Sequence, residues 1–299
     1  MPQRGAELRA KLRQFLGREL IRVAQRVTRR WLLPVDFVPR EFRPRWGYGR
    51  PPHARLTEIL ARDEDAYRAN LETIVSYHDD MSRIDRRLEA ASEPWWLSAW
   101  LPGLDAAALY AFVRARAPRM YMEVGSGMST LFARRAIRDG SLETRITSVD
   151  PEPREDVSAV TDRLLREPLE TLDLSLFSEL REGDILFMDG SHRVLTNSDA
   201  TVFFLEVLPE LPAGVLVGVH DILLPDDYLP MWTEFYWSEQ YLMGAWLLAE
   251  GSKVQLELAA RYVTAYSELR EIVAPLWEAP NLAEVDRRGF ALWMTTTGR

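Results

Sequence analysis

The chain has 299 residues, 47% of them hydrophobic and 27% charged, with no cysteine and a net charge of −8. That length and apolar content suit one large domain, or a core domain with an extension, and exclude a chain disordered throughout. Without cysteine there is no disulfide scaffold, thiolate zinc site or cysteine nucleophile, so any metal must bind through carboxylate, imidazole or water.

The charge is unevenly spread. Residues 1–50 hold thirteen Lys or Arg against four Asp or Glu, about +9, which leaves about −17 for the rest of the chain. An acidic body disfavours nucleic acid as the substrate, because phosphate binding relies on positive surface. Leu8, Leu12, Phe15, Leu16, Leu20, Val23 and Val27 recur at three- and four-residue steps between arginines, which predicts an amphipathic helix over 7–30. Its apolar stripe needs a partner, which is the protein's own body, another subunit of a homo-oligomer, or an anionic membrane surface. The N-terminus lacks an apolar segment with a cleavage site, and the most apolar stretch, 201–224, is broken by Glu206, Glu210, His220 and Asp221. A cytoplasmic protein with no spanning helix is expected.

Residues 39–52 carry proline and glycine throughout and read as a linker or clasp. Helical patterns resume at 56–62, at 66–76 and, after Pro94, at 104–116. From Met120 the pattern changes to alternation, with strands predicted at 121–124, 145–149, 184–188, 215–219, 253–258 and 290–294 and helices at 130–138, 157–166 and 200–208. The expected organisation is a basic helical N-terminus at 1–38, a helical cap or linker at 39–118 and a cofactor-binding domain at 119–299. Strand and helix in alternation imply an α/β fold, a Rossmann-like, doubly wound, mostly parallel sheet covered on both faces. Ligands bind such sheets at the carboxyl ends of the strands, where strand order reverses.

Four consecutive strands deliver polar groups to that edge. The first ends at Glu123 before Gly125 and Gly127, the second at Asp150, the third at Asp189, Gly190, Ser191 and His192, and the fourth at His220 and Asp221. Two glycines after an apolar strand let backbone N–H groups approach a small polar ligand closely. Thr130 stands where the dinucleotide fingerprint requires a third glycine, which disfavours NAD. Glu123, two places before the first glycine, would repel a pyrophosphate but attract the ammonium of an amino-acid-like ligand. Asp150 can accept from both hydroxyls of a ribose, or can cap a following helix. S-adenosylmethionine carries both the ammonium and the ribose.

On Glu123, Val124, Gly125, Ser126 and Gly127, on Asp150 and on the Asp189 strand end, the sequence resembles the class I S-adenosylmethionine-dependent methyltransferases over about 120–297. The resemblance implies a seven-stranded sheet and a cofactor set of Glu123, Gly125, Ser126, Gly127, Ser129, Asp150 and Asp189, with an adenine contact from 169–174. The run Asp184 to His192, together with Val219, His220, Asp221 and Ile222, is similar to a bacterial subgroup associated with sugar or natural-product modification; Trp46 to His53 and Pro94, Trp95 and Trp96 resemble uncharacterised members. Similarity to catechol-type and macrocin-type O-methyltransferases implies a divalent metal on Asp189, His220 and Asp221 and a base at His192, with Asp189 orienting the site. His220 departs from that pattern, being an imidazole where the relatives use oxygen; it favours a softer metal than magnesium, or none.

Bland alternatives stand beside these roles. His192 can cap the next helix, Asp189 can serve a turn, His220 can be a buried histidine bonded to backbone, and Asp199 reads as a supporting or surface residue. The aromatic segment 225–241 and Trp95, Trp96 and Trp100 can line an acceptor pocket or simply pack. The expected activity is O-methylation of a hydroxyl on a sugar or secondary metabolite, the acceptor being a small molecule. Two other readings are an iron-dependent hydroxylase using Asp189, His192 and His220, and a non-catalytic scaffold whose basic N-terminal helix docks on a membrane or glycan-assembly partner.

Overall fold

Short apolar runs, buried on both faces, form the sheet seen in a computed structural model that describes residues 19–27, 43–90, 92–154, 156–249 and 254–297. The chain divides into two units, Met1–Phe42 and Arg43–Arg299. In the first, residues 19–27 are helical with Leu20, Val23 and Val27 exposed; the rest of the helix expected over 7–30 lies outside the described residues. No helix among the described residues is long and apolar enough to cross a membrane.

The second unit holds seven strands: β1 (Met120–Val124), β2 (Arg145–Val149), β3 (Arg163–Leu165), β4 (Ile185–Met188), β5 (Leu216–Val219), β6 (Val254–Ala259) and β7 (Leu292–Thr296). Their order is β3-β2-β1-β4-β5-β7-β6, with β7 antiparallel to both neighbours and the other pairs parallel. This is the doubly wound, Rossmann-like sheet expected from the alternation. The chain winds outward from β1 to β3, then crosses back to place β4 on the other side of β1, so strand order reverses between β1 and β4. A crevice opens at their carboxyl ends.

Helices α1 (Ala54–Leu60), α2 (Glu64–Ser76), α3 (His78–Met81) and α4 (Gly103–Arg116) precede the sheet. The His53 ring accepts from the Leu56 N–H and caps α1. Helix α4 is buried from Gly103 to Val113 and ends at Ala117, in the left-handed region, before Pro118. Leu60, Leu71 and Ile74 are fully buried in the same core as Tyr121 of β1 and Trp293 of β7, so the region expected as cap or linker shares one hydrophobic core with the sheet. Each such leucine contributes roughly 1.5–3 kcal/mol by its burial.

Helices α5 (Met128–Asp139), α6 (Asp199–Val202), α7 (Glu239–Leu248) and α8 (Ala260–Tyr266) complete the fold. Two expected elements differ. The segment 157–166 is not a helix but a turn at Val157–Ala159 followed by β3, which pairs with β2, while the Asp162 carboxylate accepts from the Ile146 N–H at 2.8 Å. Pairing with an open sheet edge overrides a weak local helical pattern here. The helix expected over 200–208 is α only to Val202, then widens to a π turn over Phe203–Val207 and tightens at Leu208–Glu210, where Pro209 cannot donate to continue it.

Candidate active site

The turn after β1 is held from three sides. Gly125 adopts φ +81°, and a Cβ there would lie 2.8 Å from the Asp189 carbonyl carbon and closer still to its oxygen, so only glycine lets the ends of β1 and β4 approach. Ser126 donates both its N–H and its hydroxyl to Asp150 Oδ2 at 2.8 Å, while Asp150 Oδ1 accepts from the Glu152 N–H at 2.9 Å. No helix follows Asp150 directly, so it clamps the glycine turn to the end of β2 rather than capping a helix. The Gly127 N–H donates to Thr130 Oγ1 at 3.0 Å, which fixes the first turn of α5.

Glu123 lies behind this turn, fully buried, and lines none of the cavities described below. Hydroxyls of Tyr121 and Ser129 donate to its Oε2 at 3.0 Å, and those of Ser148 and Thr130 donate to Oε1 at 2.6 and 2.5 Å. Burial pushes its carboxyl up to about 7, against the opposing pull of those four donors. The partners of the carboxylate expected to meet the ligand's ammonium are thus four hydroxyls of the protein itself. Glu123 organises the hydroxyls that shape the turn.

Between the ends of β1, β2 and β4 lies a cavity of about 420 Å³. Gly125, Ser126, Asp150 and Asp189 line it, as do Leu169 and Glu170 from the segment expected to meet an adenine. A smaller recess beside it is lined by Ser126, Gly127, Ser129, Trp100, Arg154 and Asp189. Asp199 also faces the main cavity, accepting from the Ser191 N–H at 2.6 Å and from its hydroxyl at 2.5 Å, much as Asp150 holds Ser126.

A second cavity, of about 460 Å³, shares Asp189, Gly190, Ser191 and Arg154 with the first. Its floor carries His192, His220 and Asp221, and its walls include Trp232, Trp237 and Phe290. His192 sits at φ +60° and Asp221 at φ +55°, unusual backbone positions that turn both side chains to this floor. His192 Nδ1 bonds Glu239 Oε1, and its Nε2 lies 3.4 Å from Asp189 and 3.5 Å from Asp221. Burial disfavours the charged ring, but Glu239, Asp221 and Asp189 outweigh it and raise His192 to about 9.

His220 is also buried, with Nδ1 3.3 Å from Asp189 Oδ1 and 3.7 Å from Asp221 Oδ1. Its Nε2 lies 3.4 Å from Asp105 Oδ2, without hydrogen-bonding geometry. Asp105, inside α4, is locked by the Phe290 and Ala291 N–H groups at 2.7 and 2.9 Å. Despite burial, which opposes charge, Asp221 and Asp189 push His220 well above the usual histidine range. Burial likewise raises the Asp221 and Glu239 carboxyls, whereas at Asp189 the effect of burial is overcome by His220 and the carboxyl is lowered.

Ligand atoms of Asp189, His220 and Asp221 lie within 4.8 Å of one another. Two carboxylates and one imidazole at that spacing fit a divalent cation, and a carboxylate behind the imidazole, as Asp105 is, is the usual support for a metal-binding histidine. The fold thus gathers Gly125, Ser126, Gly127, Ser129, Asp150, Asp189, His192, His220 and Asp221 at one edge of the sheet. Asp105, Glu239 and Arg154 were not expected there. Only a lone acid within the apolar run 104–113 hinted at Asp105.

Residues 122–222, from β1 to just beyond β5, match the family described as methyltransferase domain. No curated protein matches the chain. Among solved structures, it is similar to the SAH-bound methyltransferase PaMTH1 of Podospora anserina, at 17% identity over 62% of this chain and 81% of that one, with a TM-score of 0.37. It is also similar to an O-methyltransferase from Bacillus cereus in complex with SAH, at 12% identity over 82% and 99% of the two chains (TM-score 0.37), and to cofactor-bound Rv0187 from MTB, at 15% over 82% and 96% (TM-score 0.39).

Proposed function

We propose that this chain is a methyltransferase that uses S-adenosylmethionine and methylates a hydroxyl of a sugar or secondary metabolite. One observation carries the reading: a cavity built on the strand ends of a methyltransferase-like segment meets a second, aromatic-walled cavity at Asp189, with a buried imidazole on the far side. In this reading Asp150 takes the ribose hydroxyls, Leu169 and Glu170 flank the adenine, and the recess by Gly127 and Ser129 takes the aminoacyl end. The bound sulfonium supplies the methyl group.

His192 is the base. Glu239 holds its Nδ1, and in the deprotonated fraction of the ring, which grows as pH rises toward about 9, Nε2 takes the hydroxyl proton while oxygen bonds the methyl carbon and the carbon–sulfur bond breaks, so turnover is expected to climb with pH up to about 9. Holding acceptor and donor in line across Asp189 supplies much of the rate, since positioning replaces a bimolecular encounter. Asp189, His220 and Asp221 would hold a divalent cation, whose charge lowers the cost of deprotonating a hydroxyl. The oxygen-rich set favours this over the iron hydroxylase, which needs two imidazoles and one carboxylate.

Calorimetric titration with S-adenosylmethionine tests the reading. The wild-type chain is expected to bind with or without EDTA, and Asp150→Ala to bind at least about 100-fold more weakly, because two hydrogen bonds to a charged acceptor are worth roughly 1.5–3 kcal/mol each. Absence of binding to a folded wild-type chain would overturn it.

A further inference from the structure

Of the three guanidinium groups that line the acceptor cavity, those of Arg193 and Arg154 stand outside the ion pairs of the described residues. Arg288 is paired with Asp286 at 2.6 Å, and the carboxylates of Asp189 and Asp221 face the two imidazoles. Arg193 has no ion pair among the described residues. Its Nε donates to the Phe235 carbonyl and its Nη1 to that of Ser191, both at 3.0 Å, so the guanidinium is held in place by neutral partners while its charge stays unspent. Arg154 has neither ion pair nor hydrogen bond among the described residues; its guanidinium lies 4.5 Å from the centre of the Trp100 ring, where the two cavities join. The Arg193 guanidinium, held by two carbonyls in a partly enclosed site, can bind a carboxylate or phosphate with little further loss of freedom.

We propose that the acceptor is a ring compound carrying its own anionic group, a carboxylate or a phosphate, recognised by Arg193 while the ring lies among Trp232, Trp237 and Phe290. The aromatic walls select the ring and the Arg193 cation selects the charge, Arg154 being left to the aminoacyl carboxylate of the cofactor, whose recess it lines. This rests on the methyl-transfer reading for the identity of the cavity as the acceptor's. Recognition of the charge also orients the ring, because the anion and the hydroxyl facing His192 must be met at once.

The test is calorimetry on the full chain, first with SAH and then, with or without SAH, with paired probes. 3,4-Dihydroxybenzoate is set against its neutral amide, and glucuronate and glucose 1-phosphate against glucose. At least one anionic probe is expected to bind about tenfold or more tightly than its neutral counterpart, the aromatic and sugar pairs distinguishing the body of the acceptor and the two sugar anions its charged group. Arg193→Gln is expected to abolish that preference, added salt to weaken it, and SAH affinity to stay unchanged, since Arg193 does not line the first cavity. Equal binding within every pair, no binding of any anionic probe, or a preference that survives in Arg193→Gln would overturn the proposal. SAH binding that persists in those cases leaves methyl transfer standing, whereas loss of SAH binding alone tells against the methyl-transfer reading and not against the anion preference.

Discussion

Replacing Glu123 by glutamine removes the one carboxylate that four hydroxyls surround at the base of the glycine turn. Burial holds that carboxyl at about 7 in the folded chain, against 4.5 as its ordinary value. The folded state therefore binds the proton more tightly than the unfolded one. The stability this contributes is complete below pH 4.5 and is lost as pH rises to about 7. At 1.36 kcal/mol per pH unit, the loss amounts to about 3 kcal/mol. The amide of Glu123→Gln has no proton to give up, so the variant escapes it. Its single acceptor oxygen must rearrange the hydroxyl bonds, at a cost of about 1 kcal/mol that does not change with pH. Urea denaturation of both chains from about pH 4 to pH 8 is expected to show the stability difference moving in the variant's favour by about 3 kcal/mol. Parallel pH profiles would refute the reasoning, because they would mean that Glu123 stays ionised behind its four donors. The same variant also addresses the ammonium: affinity for S-adenosylmethionine should stay within about threefold of wild type if Glu123 acts only through the turn, and should fall by about tenfold or more if its charge reaches the ligand.

Gly125→Ala places a methyl group against the Asp189 carbonyl at φ +81°, combining a strained backbone with a collision between two strand ends. A loss of at least about 3 kcal/mol in urea denaturation is expected, and a change under about 1 kcal/mol would show that β1 and β4 can part at no cost. With four histidines in the chain, imidazole NMR titration in EDTA can follow His192 directly. It is expected to keep its proton up to about pH 9, and in Glu239→Gln to lose it at a clearly lower pH, since burial then has less to oppose it. A wild-type His192 titrating near 6.5, or one unmoved by Glu239→Gln, would remove Glu239 as the group that sets the ring.

Strand ends were legible in the sequence because an apolar run that stops on a polar residue is a local signal. Gly125, Asp150, Asp189 and His220 all carry it, and the winding of the sheet brings them together. What the sequence hid is tertiary. Edge pairing makes β3 from a segment with a helical pattern, and the hydroxyls of Tyr121, Ser129, Thr130 and Ser148 come from three elements to meet Glu123. Asp105 and Glu239 lie far along the chain from the histidines they serve, one within an apolar helix and the other after an aromatic run, where no spacing rule points to them. Yet these two complete the site. Glu239 bonds one nitrogen of His192 and leaves the other facing Asp189 and Asp221, while Asp105 stands behind His220 and leaves Nδ1 toward the same two carboxylates. Each imidazole thus has a carboxylate behind it and its other nitrogen aimed at one point. The proposed base and metal ligand would each use that arrangement, with one nitrogen oriented by a carboxylate and the other turned to the shared point.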